Sequence, residues 1–316
     1  MNKKILLSGV KPTGRPHIGN YFGAMKQFVE LQDSYNSYIF IADLHALTSV
    51  QNKDELRENI LGVLLDYLAI GLDPEKVTLY KQSDVPQVTE LTWILNCLTT
   101  VPYLSRAHAY KDAIANGKEP SVGLFDYPIL MAADIIIQDA DVVPVGQDQK
   151  QHIEIARDMA QKFNSTFGDT FKLPDSLILE NLATIPGTDG RKMSKSYGNT
   201  IELFATDEEI SRSVMSIVTD SSGEKPENVY AIHALLKDKE SLDKLYEEKK
   251  GQYKELKEVL IEDLKKFITP MREKRVELAK DKKSVLEVLK AGSDKARARA
   301  EKKMEEVREK VGLKLS

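Results

Sequence analysis

The sequence predicts a parallel, doubly wound α/β sheet followed by an all-helical C-terminal region. Up to residue 165, short runs rich in β-branched residues alternate with stretches of helical periodicity, an order typical of parallel sheets with helices on both faces. From Thr206 onward only helical patterns follow. A chain of 316 residues is long enough for two domains, since domains contain roughly 100 to 200 residues each. We therefore expect a Rossmann-like domain over residues 1–204 and a helical domain over residues 205–316.

The expected elements of the first domain follow from hydrophobic periodicity and segment length. The runs expected as strands are KILLSGV (4–10), SYIFIADL (37–44), KVTLYKQS (76–83), ADVVPVG (140–146) and LILENLATI (177–185). The stretches expected as helices are NYFGAMKQFVELQ (20–32), KDELRENILGVLLDYLAI (53–70), VTELTWILNCL (88–98), DYPILMAADIII (126–137) and KQHIEIARDMAQKFN (150–164). Strands and helices therefore alternate through most of this domain.

The helical domain carries its own start and stop signals. Thr206 and Glu209 have the spacing of a capping box, which predicts that a helix begins there. Pro270 is expected to bend or end a later helix, and Ser293 is expected to cap a final helix that stops near Gly312. The apolar stripe of the helix that contains Pro270 consists of Tyr253, Leu256, Leu260, Leu264, Phe267 and Met271.

Composition and cysteine content exclude several classes of protein. Hydrophobic residues make up 41% and charged residues 30% of the chain, close to globular averages, and no apolar run reaches the roughly 20 residues of a membrane span. The N-terminus is expected to be a first strand, because its apolar core is too short for a signal peptide. Cys97 is the only cysteine, so an internal disulfide or a multi-cysteine zinc or iron–sulfur site is excluded. We expect a cytoplasmic protein without either metal centre.

Positive charge is concentrated near the C-terminus. Residues 271–316 contain 15 Lys and Arg against 9 Asp and Glu, whereas residues 1–270 contain 30 against 40. Such an asymmetry can indicate contact with a polyanion such as nucleic acid, but a solvated helix face produces it too. The charge alone does not decide between these two interpretations.

A glycine-containing turn, GVKPTGRPHIGNYFGA (9–24), follows the first strand and runs into a helix. At the carboxyl end of a strand, glycines let a phosphate approach the backbone, and a helix N-terminus presents free amide groups to an anion. The turn lacks the Gly-x-Gly-x-x-Gly spacing of dinucleotide folds, and the chain has no Walker-type motif. His17 and Asn20 supply side-chain donors instead. An anion site and a merely capped turn with a buried His17 both remain open.

A second polar stretch, GRKMSKSYGN (190–199), places Lys192 and Lys195 three residues apart among glycines and serines. A mobile loop of this kind could fold over a polyphosphate and bring two ammonium groups to developing charge. Together with an anion-binding turn after the first strand, it indicates group transfer to or from a nucleoside triphosphate.

The motifs PHIGN (16–20) and KMSKS (192–196) resemble the two signatures of class I aminoacyl-tRNA synthetases, HIGH and KMSKS, with Asn20 in place of the final histidine. The segments DLHAL (43–47), YPILMAADI (127–135) and VPVGQDQKQHIE (143–154) resemble the tryptophanyl members in particular. The resemblance covers nearly the whole chain. It implies an AMP-forming ligase that activates L-tryptophan with ATP and Mg2+ and then transfers tryptophan to the 3' end of tRNA(Trp). It also implies a homodimer whose helical domain binds tRNA near the anticodon, without a membrane or DNA partner.

The helix expected over residues 126–137 carries one acidic residue in an apolar surrounding. Tyr127, Met131 and Asp134 fall at i, i+4 and i+7, which puts them on one face. A buried, unpaired carboxylate costs several kcal/mol, so either a neighbouring donor or a ligand is expected to satisfy Asp134. The family resemblance implies that this aspartate accepts the indole N–H of tryptophan.

The resemblance also implies roles for individual residues. The catalytic side chains would be His17, Lys192 and Lys195. The ATP site would consist of Lys11, Pro12, Thr13, His17, Gly19, Asn20, Gly146, Gln147, Asp148, Ile185, Lys192, Met193, Ser194, Lys195 and Ser196. The tryptophan site would consist of Leu7, His45, Tyr127, Met131, Asp134 and Gln149. Lys11 and Gln147 depart from many relatives, which have Gln and Glu at these two positions.

Three other classes remain as alternatives. Tyrosyl-tRNA synthetases share the fold and both signatures, but they must bind a phenol, and YPILMAADI suits an indole better. A small nucleotidyltransferase or a pantothenate-synthetase-like ligase could share the first motif, but it would not need the basic helical domain. A non-enzymatic RNA-binding paralogue would have lost catalytic side chains, whereas His17 and both lysines are present.

Overall fold

The computed structural model describes residues 3–117, 119–146, 150–178, 185–219 and 225–315. Its strands are β1 (Ile5–Val10), β2 (Asn36–Ile41), β3 (Val77–Lys81), β4 (Val142–Val145) and β5 (Asp175–Ile178). They form one sheet in the order β3-β2-β1-β4-β5, and every pairing is parallel, which confirms the predicted fold class. The strand order reverses between β1 and β4. Open parallel sheets bind ligands at such a reversal, beyond the carboxyl ends of the strands.

Helices cover both faces of the sheet and make up the C-terminal region. Those up to residue 178 are α1 (Ile18–Asn20), α2 (Lys26–Leu31), α3 (Asp43–Ala46), α4 (Lys53–Ala69), α5 (Gln87–Leu98), α6 (Val101–Leu104), α7 (His108–Ala115), α8 (Val122–Ile137) and α9 (Lys150–Phe167). Those after residue 204 are α10 (Asp207–Met215), α11 (Glu227–His233), α12 (Lys239–Glu248), α13 (Tyr253–Lys280) and α14 (Lys282–Lys310). A π-helical turn, Tyr21–Met25, joins α1 to α2, where the sequence predicts an ordinary helix. In the described part of the chain, no helix combines the length and hydropathy that a bilayer crossing needs.

Neighbouring residues of β1 and β2 point into two cores on opposite faces of the sheet. Leu6 and Ile39 belong to the core that includes side chains of α4, α10 and α13. Leu7 and Tyr38 belong to the core that includes side chains of α5, α8 and α9. Because successive side chains of a strand alternate between faces and both faces are covered, these strands are apolar along nearly their whole length.

The last helix, α14, crosses the edge strand β3 and contributes to both cores. Leu289 in its first half belongs to the core with α4 and α13, and Met304 in its second half belongs to the core with α5 and α8. At the crossing, a Cβ on Gly292 would lie only 1.9 Å from the carbonyl oxygen of Leu79. The helix thereby covers an edge strand whose backbone could otherwise pair with another chain.

For the helical region, one expectation is wrong, and one of the two alternatives given for Pro270 is excluded. Ser293 does not cap a helix but lies inside α14, whose N-cap is Asp281 with its side chain accepting from the backbone N of Ser284. Pro270 does not end its helix, because α13 continues through it. Burial of the apolar stripe outweighs the one hydrogen bond that proline cannot donate. The capping box at the start of α10 and the helix end near Gly312 are confirmed.

Part of the positive charge in α14 holds this helix on the α/β region. Arg299 Nε donates to the carbonyl oxygen of Gln138 at 2.8 Å. The guanidinium of Arg308 donates to both carboxylate oxygens of Glu90, at 2.7 and 2.6 Å. Such two-pronged pairs between arginine and a carboxylate are among the stronger ionic contacts in proteins. The charge asymmetry of the sequence is therefore in part a packing feature.

Replacing Gly292 by alanine is expected to lower the free energy of unfolding by about 3 kcal/mol, because the new methyl group would collide with strand backbone. At an open helical position the same change would stabilise by up to about 1 kcal/mol. Gly62 in α4 is the matched control, since the nearest atom to a Cβ there is Arg275 Nη2 at 3.8 Å. Urea unfolding followed by circular dichroism measures both variants. Equal stabilities would contradict the close packing at the crossing.

Candidate active site

The carboxyl ends of β1 and β4 meet at the point where the strand order reverses. The turn of residues 11–17 leaves β1 there, and Gly146 directly follows β4. Gln147, Asp148 and Gln149 lie outside the described residues, so their implied contacts with the ribose and the amino acid stay predictions.

His17 is the N-cap of α1. Its Nδ1 accepts a hydrogen bond from the backbone N of Asn20 at 3.3 Å, and the Asn20 side-chain oxygen accepts one from the backbone N of His17 at 3.1 Å. A Cβ on Gly19 would lie 2.8 Å from the same Nδ1, so a side chain at that position would displace the ring. Since Nδ1 accepts, the neutral ring carries its proton on Nε2. His17 therefore caps the turn and still has one donor to offer a ligand.

Burial lowers the pKa of His17 to about 4, and the nearby ammonium group of Lys195 adds to this effect. Loss of solvent disfavours the charged imidazolium, and a second positive charge repels it. The ring is therefore neutral at pH 7. It can donate a hydrogen bond to a phosphate oxygen, but it is not a proton source near neutral pH.

Direct contacts join the turn of residues 11–17 to the segment of residues 186–199, which we call the lysine loop. Lys195 Nζ donates to the carbonyl oxygen of Thr13 at 2.9 Å. Directly after the loop, the carbonyl oxygen of Ile201 accepts from the backbone N of Ile18 at 2.9 Å, and Arg15 pairs with Glu202 at 3.2 Å. Two segments that are far apart in sequence therefore lie together. Of the residues that the family resemblance implies for ATP, Lys11, Pro12, Thr13 and His17 lie on the turn, Gly19 and Asn20 in α1, and Lys192, Met193, Ser194, Lys195 and Ser196 on the loop; their contacts with ATP stay predictions.

Asn199 organises the lysine loop from inside. Its side chain is buried, accepts from the backbone N of Ser194 at 2.8 Å and donates to Asp189 at 2.6 Å. The backbone N of Met193 donates to the carbonyl oxygen of Ile185 at 2.8 Å, and both of these apolar side chains are buried. The loop therefore has an anchored interior while Lys192 and Lys195 lie on its exposed side.

The base of the lysine loop rests on the helical region. The backbone N of Val218 donates to the carbonyl oxygen of Thr188 at 2.7 Å, and Asn228 Nδ2 donates to the Val218 carbonyl oxygen at 3.0 Å. Lys257 of α13 fixes the same segment, since its Nζ donates to the carbonyl oxygen of Ile217 at 2.7 Å. Burial lowers the pKa of Lys257. The position of the loop therefore depends on helices that follow it in sequence.

Asp134 of α8 is almost completely buried, at 2% exposed. Its Oδ2 accepts from Gln82 Nε2 at 2.7 Å and lies 3.1 Å from His45 Nε2. Burial raises the pKa of Asp134, whereas the bonds from His45 and Gln82 favour the ionised form and oppose that rise. A neighbouring donor, one of the two partners that the sequence leaves open, is therefore present.

The other residues expected around the amino acid lie on β1, α3 and α8. The ring of His45 meets that of Tyr127 edge to face, with centroids 6.3 Å apart. The Tyr127 hydroxyl lies 3.0 Å from Nε2 of His152 on α9. Leu7 is buried in β1, and the half-buried Met131 packs against the core to which Leu7 belongs. Their implied contacts with a substrate stay predictions.

Lys11 connects the turn that follows β1 to the segment that follows α3. Its Nζ donates to Thr48 Oγ1 at 2.9 Å, and that hydroxyl donates to the carbonyl oxygen of His45 at 2.8 Å. Burial lowers the pKa of the Lys11 ammonium group. The ammonium group of Lys11, which the family resemblance implies near ATP, is therefore linked through Thr48 to His45, the residue that contacts Asp134.

Sequence reasoning missed the groups that position these side chains, namely Gln82, Thr48, His152 and Asn199. Gln82 had a usable signal, since it directly follows β3 at the edge of the sheet where ligands bind. The others had none, because a single hydroxyl, imidazole or amide outside a motif predicts no particular role.

Comparison with known proteins agrees with the geometry of this region. Residues 2–286 match the family described as tRNA synthetases class I (W and Y). A protein of Fusobacterium nucleatum named Tryptophan–tRNA ligase is 52% identical over 317 residues, covering 97% of each chain. A protein of the same name from Rhodopirellula baltica is 45% identical and covers 98% of this chain and 99% of its own.

A solved structure gives the same result in three dimensions. The tryptophanyl-tRNA synthetase of Campylobacter jejuni, crystallised with ADP and tryptophan, superposes with a TM-score of 0.91 at 42% identity. The match covers 98% of this chain and 99% of that one. The agreement includes the helical region as well as the sheet.

Proposed function

This chain belongs to the class I tRNA synthetases of the W and Y family, and we propose that its joined turn and lysine loop bind ATP while α8 binds tryptophan. It is a tryptophan–tRNA ligase, as are the relatives that match it at 42 to 52% identity over nearly its full length. Its substrates are tryptophan, ATP and tRNA(Trp). The ADP and tryptophan bound to the Campylobacter jejuni protein support the first two.

The reaction has two steps. The tryptophan carboxylate attacks the α-phosphorus of ATP, and the bond to pyrophosphate breaks, which leaves tryptophanyl-adenylate. A terminal ribose hydroxyl of tRNA then attacks the adenylate carbonyl, and AMP leaves. Neither step needs a covalent bond to the protein, so positioning and charge stabilisation supply the rate enhancement.

The observation that carries the site assignment is the contact of Lys195 with the turn that holds His17. The lysine ammonium has three donors, of which the Thr13 carbonyl oxygen accepts from one. We assign the others to the leaving pyrophosphate, together with Lys192. The neutral His17 would donate to a phosphate oxygen. Gly146, Gln147 and Asp148 would contact the ribose, and Ile185 the base.

On the amino-acid side, Asp134 would accept the indole N–H. Leu7, His45 and Met131 would border the ring, and Tyr127 and Gln149 would bind the ammonium group of the substrate. The burial of Asp134 beside His45 supports this assignment, since a buried acceptor discriminates strongly against a side chain that cannot donate.

Pyrophosphate exchange into ATP, run separately with each standard amino acid, tests the function. Exchange that depends on tryptophan is expected. Exchange with tyrosine alone would replace the tryptophan assignment by the tyrosyl alternative, and no exchange with any amino acid would contradict an adenylate-forming enzyme. Charging of tRNA(Trp) transcripts with labelled tryptophan then tests the second step.

Mg2+ would arrive bound to ATP, where it would neutralise phosphate charge. Among the described residues, no group of three or more His, Cys, Asp and Glu side chains could hold a metal ion. The absence of zinc and of an iron–sulfur cluster stays a prediction from the single cysteine. A cytoplasmic location is likewise our proposal.

We also propose that residues 205–316 form the region that contacts tRNA near the anticodon, while residues 1–204 carry the chemistry. Arg299 and Arg308 are not available for tRNA, because both already contact the α/β region. Charge reversal at exposed lysines of α13 would then weaken tRNA binding without affecting pyrophosphate exchange.

A homodimer is proposed from the exposed apolar side chains near α5, α6 and α8. Trp93 is 71%, Val101 68% and Val122 81% exposed. A bond from Asn96 Nδ2 to Asp126 at 2.9 Å joins α5 to α8. Exposed apolar areas of this kind mark protein contacts. Light scattering is expected to give the mass of two chains, and Trp93→Glu is expected to give that of one.

A further inference from the structure

Gln82 lies immediately after β3 and is completely buried, with 0% of its surface exposed. Its Oε1 accepts from the backbone N of Leu44 at 3.1 Å and of His45 at 3.3 Å. Its Nε2 donates to Asp134 Oδ2 at 2.7 Å. The orientation of this amide is fixed, because backbone N–H groups only donate and must meet the oxygen. The amino group is therefore always directed at Asp134.

This arrangement determines what Asp134 can do. Gln82 Nε2 and His45 Nε2 both meet the same oxygen, Oδ2, and the other oxygen receives neither of these bonds. A donor that cannot turn away requires an acceptor opposite it, so Oδ2 cannot carry a proton, and two donors on this oxygen favour the ionised carboxylate, in which the other oxygen accepts as well. A carboxyl held in this state and orientation is what recognition of a ring N–H needs.

We infer that Gln82 is a positioning residue for amino-acid selection, which keeps Asp134 an acceptor and ties it to the helix that carries His45. The inference rests on the proposed tryptophan site, and it adds a residue that touches no substrate. Gln82 acts through two groups at once, since one amide joins the N-terminus of α3 to Asp134 in the last turn of α8.

The test compares tryptophan with 3-(benzothiophen-3-yl)alanine, in which sulfur replaces the ring N–H. Gln82→Met keeps the approximate length of the side chain but removes the donor. We expect the preference for tryptophan, as the ratio of kcat/KM values in pyrophosphate exchange, to fall about 10-fold or more, while the KM for ATP stays within about twofold. The rate with the analogue is expected to change far less than the rate with tryptophan.

The chain offers a matched control in Gln87. This buried glutamine also donates from Nε2 to a carboxylate, Glu301 at 2.6 Å, but it joins α5 to α14. Gln87→Met is expected to leave the preference unchanged. If Gln82→Met slows both amino acids by the same factor, Gln82 has only a structural role and the inference is overturned. If the wild-type protein shows no exchange with tryptophan, the proposed function itself fails.

A second variant covers the case in which Gln82→Met does not fold. Gln82→Glu keeps the oxygen that faces α3 and replaces the amino group by a second carboxyl beside Asp134. At low pH the introduced carboxyl can donate its proton to Asp134, and the preference is expected to persist. As the pH rises and both groups ionise, the preference is expected to fall. A ratio of tryptophan to analogue that does not vary with pH would overturn the inference.

Discussion

Replacing Lys195 by alanine is expected to slow adenylate formation about 100- to 1000-fold, while the KM for tryptophan stays within about twofold. The ammonium group of Lys195 lies against the turn that holds His17, at 2.9 Å from the Thr13 carbonyl oxygen. The additional negative charge on the leaving oxygen of pyrophosphate develops in the transition state, so loss of this donor is expected to lower kcat more than it weakens substrate binding. Burst-phase measurement of adenylate separates the chemical step from product release.

A second observable isolates the local effect of Lys195. Burial is the main reason why the pKa of His17 lies at about 4, and the Lys195 charge contributes less. In Lys195→Ala the pKa of His17 is therefore expected to rise, without reaching that of a solvated histidine. NMR titration of the imidazole measures this rise. Lys290→Ala removes an exposed charge on α14 and is expected to change neither quantity.

The outcome that would contradict this role is a wild-type rate of adenylate formation in Lys195→Ala. In that case the lysine would only tie the loop to the first turn. Faster exchange of the loop amides with deuterium, combined with unchanged kinetics, would identify such a purely structural contact.

The sheet could be predicted because each strand and helix has the local sequence pattern that is typical of that element. The runs that became β1, β2 and β3 are mostly apolar, and each is separated from the next by a stretch long enough for a helix. The path of α14 could not be predicted in this way. Gly292 and Ser293 resemble a break or a cap in sequence, but they are small because a helix crosses strand backbone there. Tertiary packing overrides the local signal at such a point.

The charged groups of the candidate site could be predicted from the sequence, but the residues that hold them in position could not. Lys195 and His17 belong to recognisable motifs, so their proximity was expected. The partner of Asp134 was left open, because a glutamine that follows a strand has many uses. Only the fold shows that Gln82 and His45 reach the same carboxylate oxygen. The residues that bind a ligand leave a stronger sequence pattern than those that orient them.

The preference for tryptophan over the benzothiophene analogue is expected to fall sharply in Asp134→Asn. The asparagine oxygen would occupy the position of Oδ2, because Gln82 Nε2 and His45 Nε2 both donate there. Its amino group would then replace the other carboxylate oxygen and meet the indole N–H as a second donor. We expect kcat/KM for tryptophan to fall about 100- to 1000-fold, and that for the benzothiophene analogue less than about tenfold.

Asp134→Ala tests the same role less cleanly, because it leaves the donors of Gln82 and His45 without a partner. Each buried donor left unpaired costs about 1 to 3 kcal/mol, so stability falls together with recognition. In both variants the KM for ATP is expected to stay within about twofold, since the proposed partner of Asp134 is the ring nitrogen. Equal losses for tryptophan and ATP would count against the role.

Asp126→Asn, on the same helix, is the control for a change from carboxylate to amide. Asp126 accepts from Asn96 at 2.9 Å at the end of α8 nearer its N-terminus, and its replacement is expected to leave the preference intact. If Asp134→Asn folds normally and still prefers tryptophan to the analogue as strongly as the wild-type protein, the indole N–H has another partner. The selectivity would then have to come from the shape of the pocket, which distinguishes a ring N–H from sulfur only weakly.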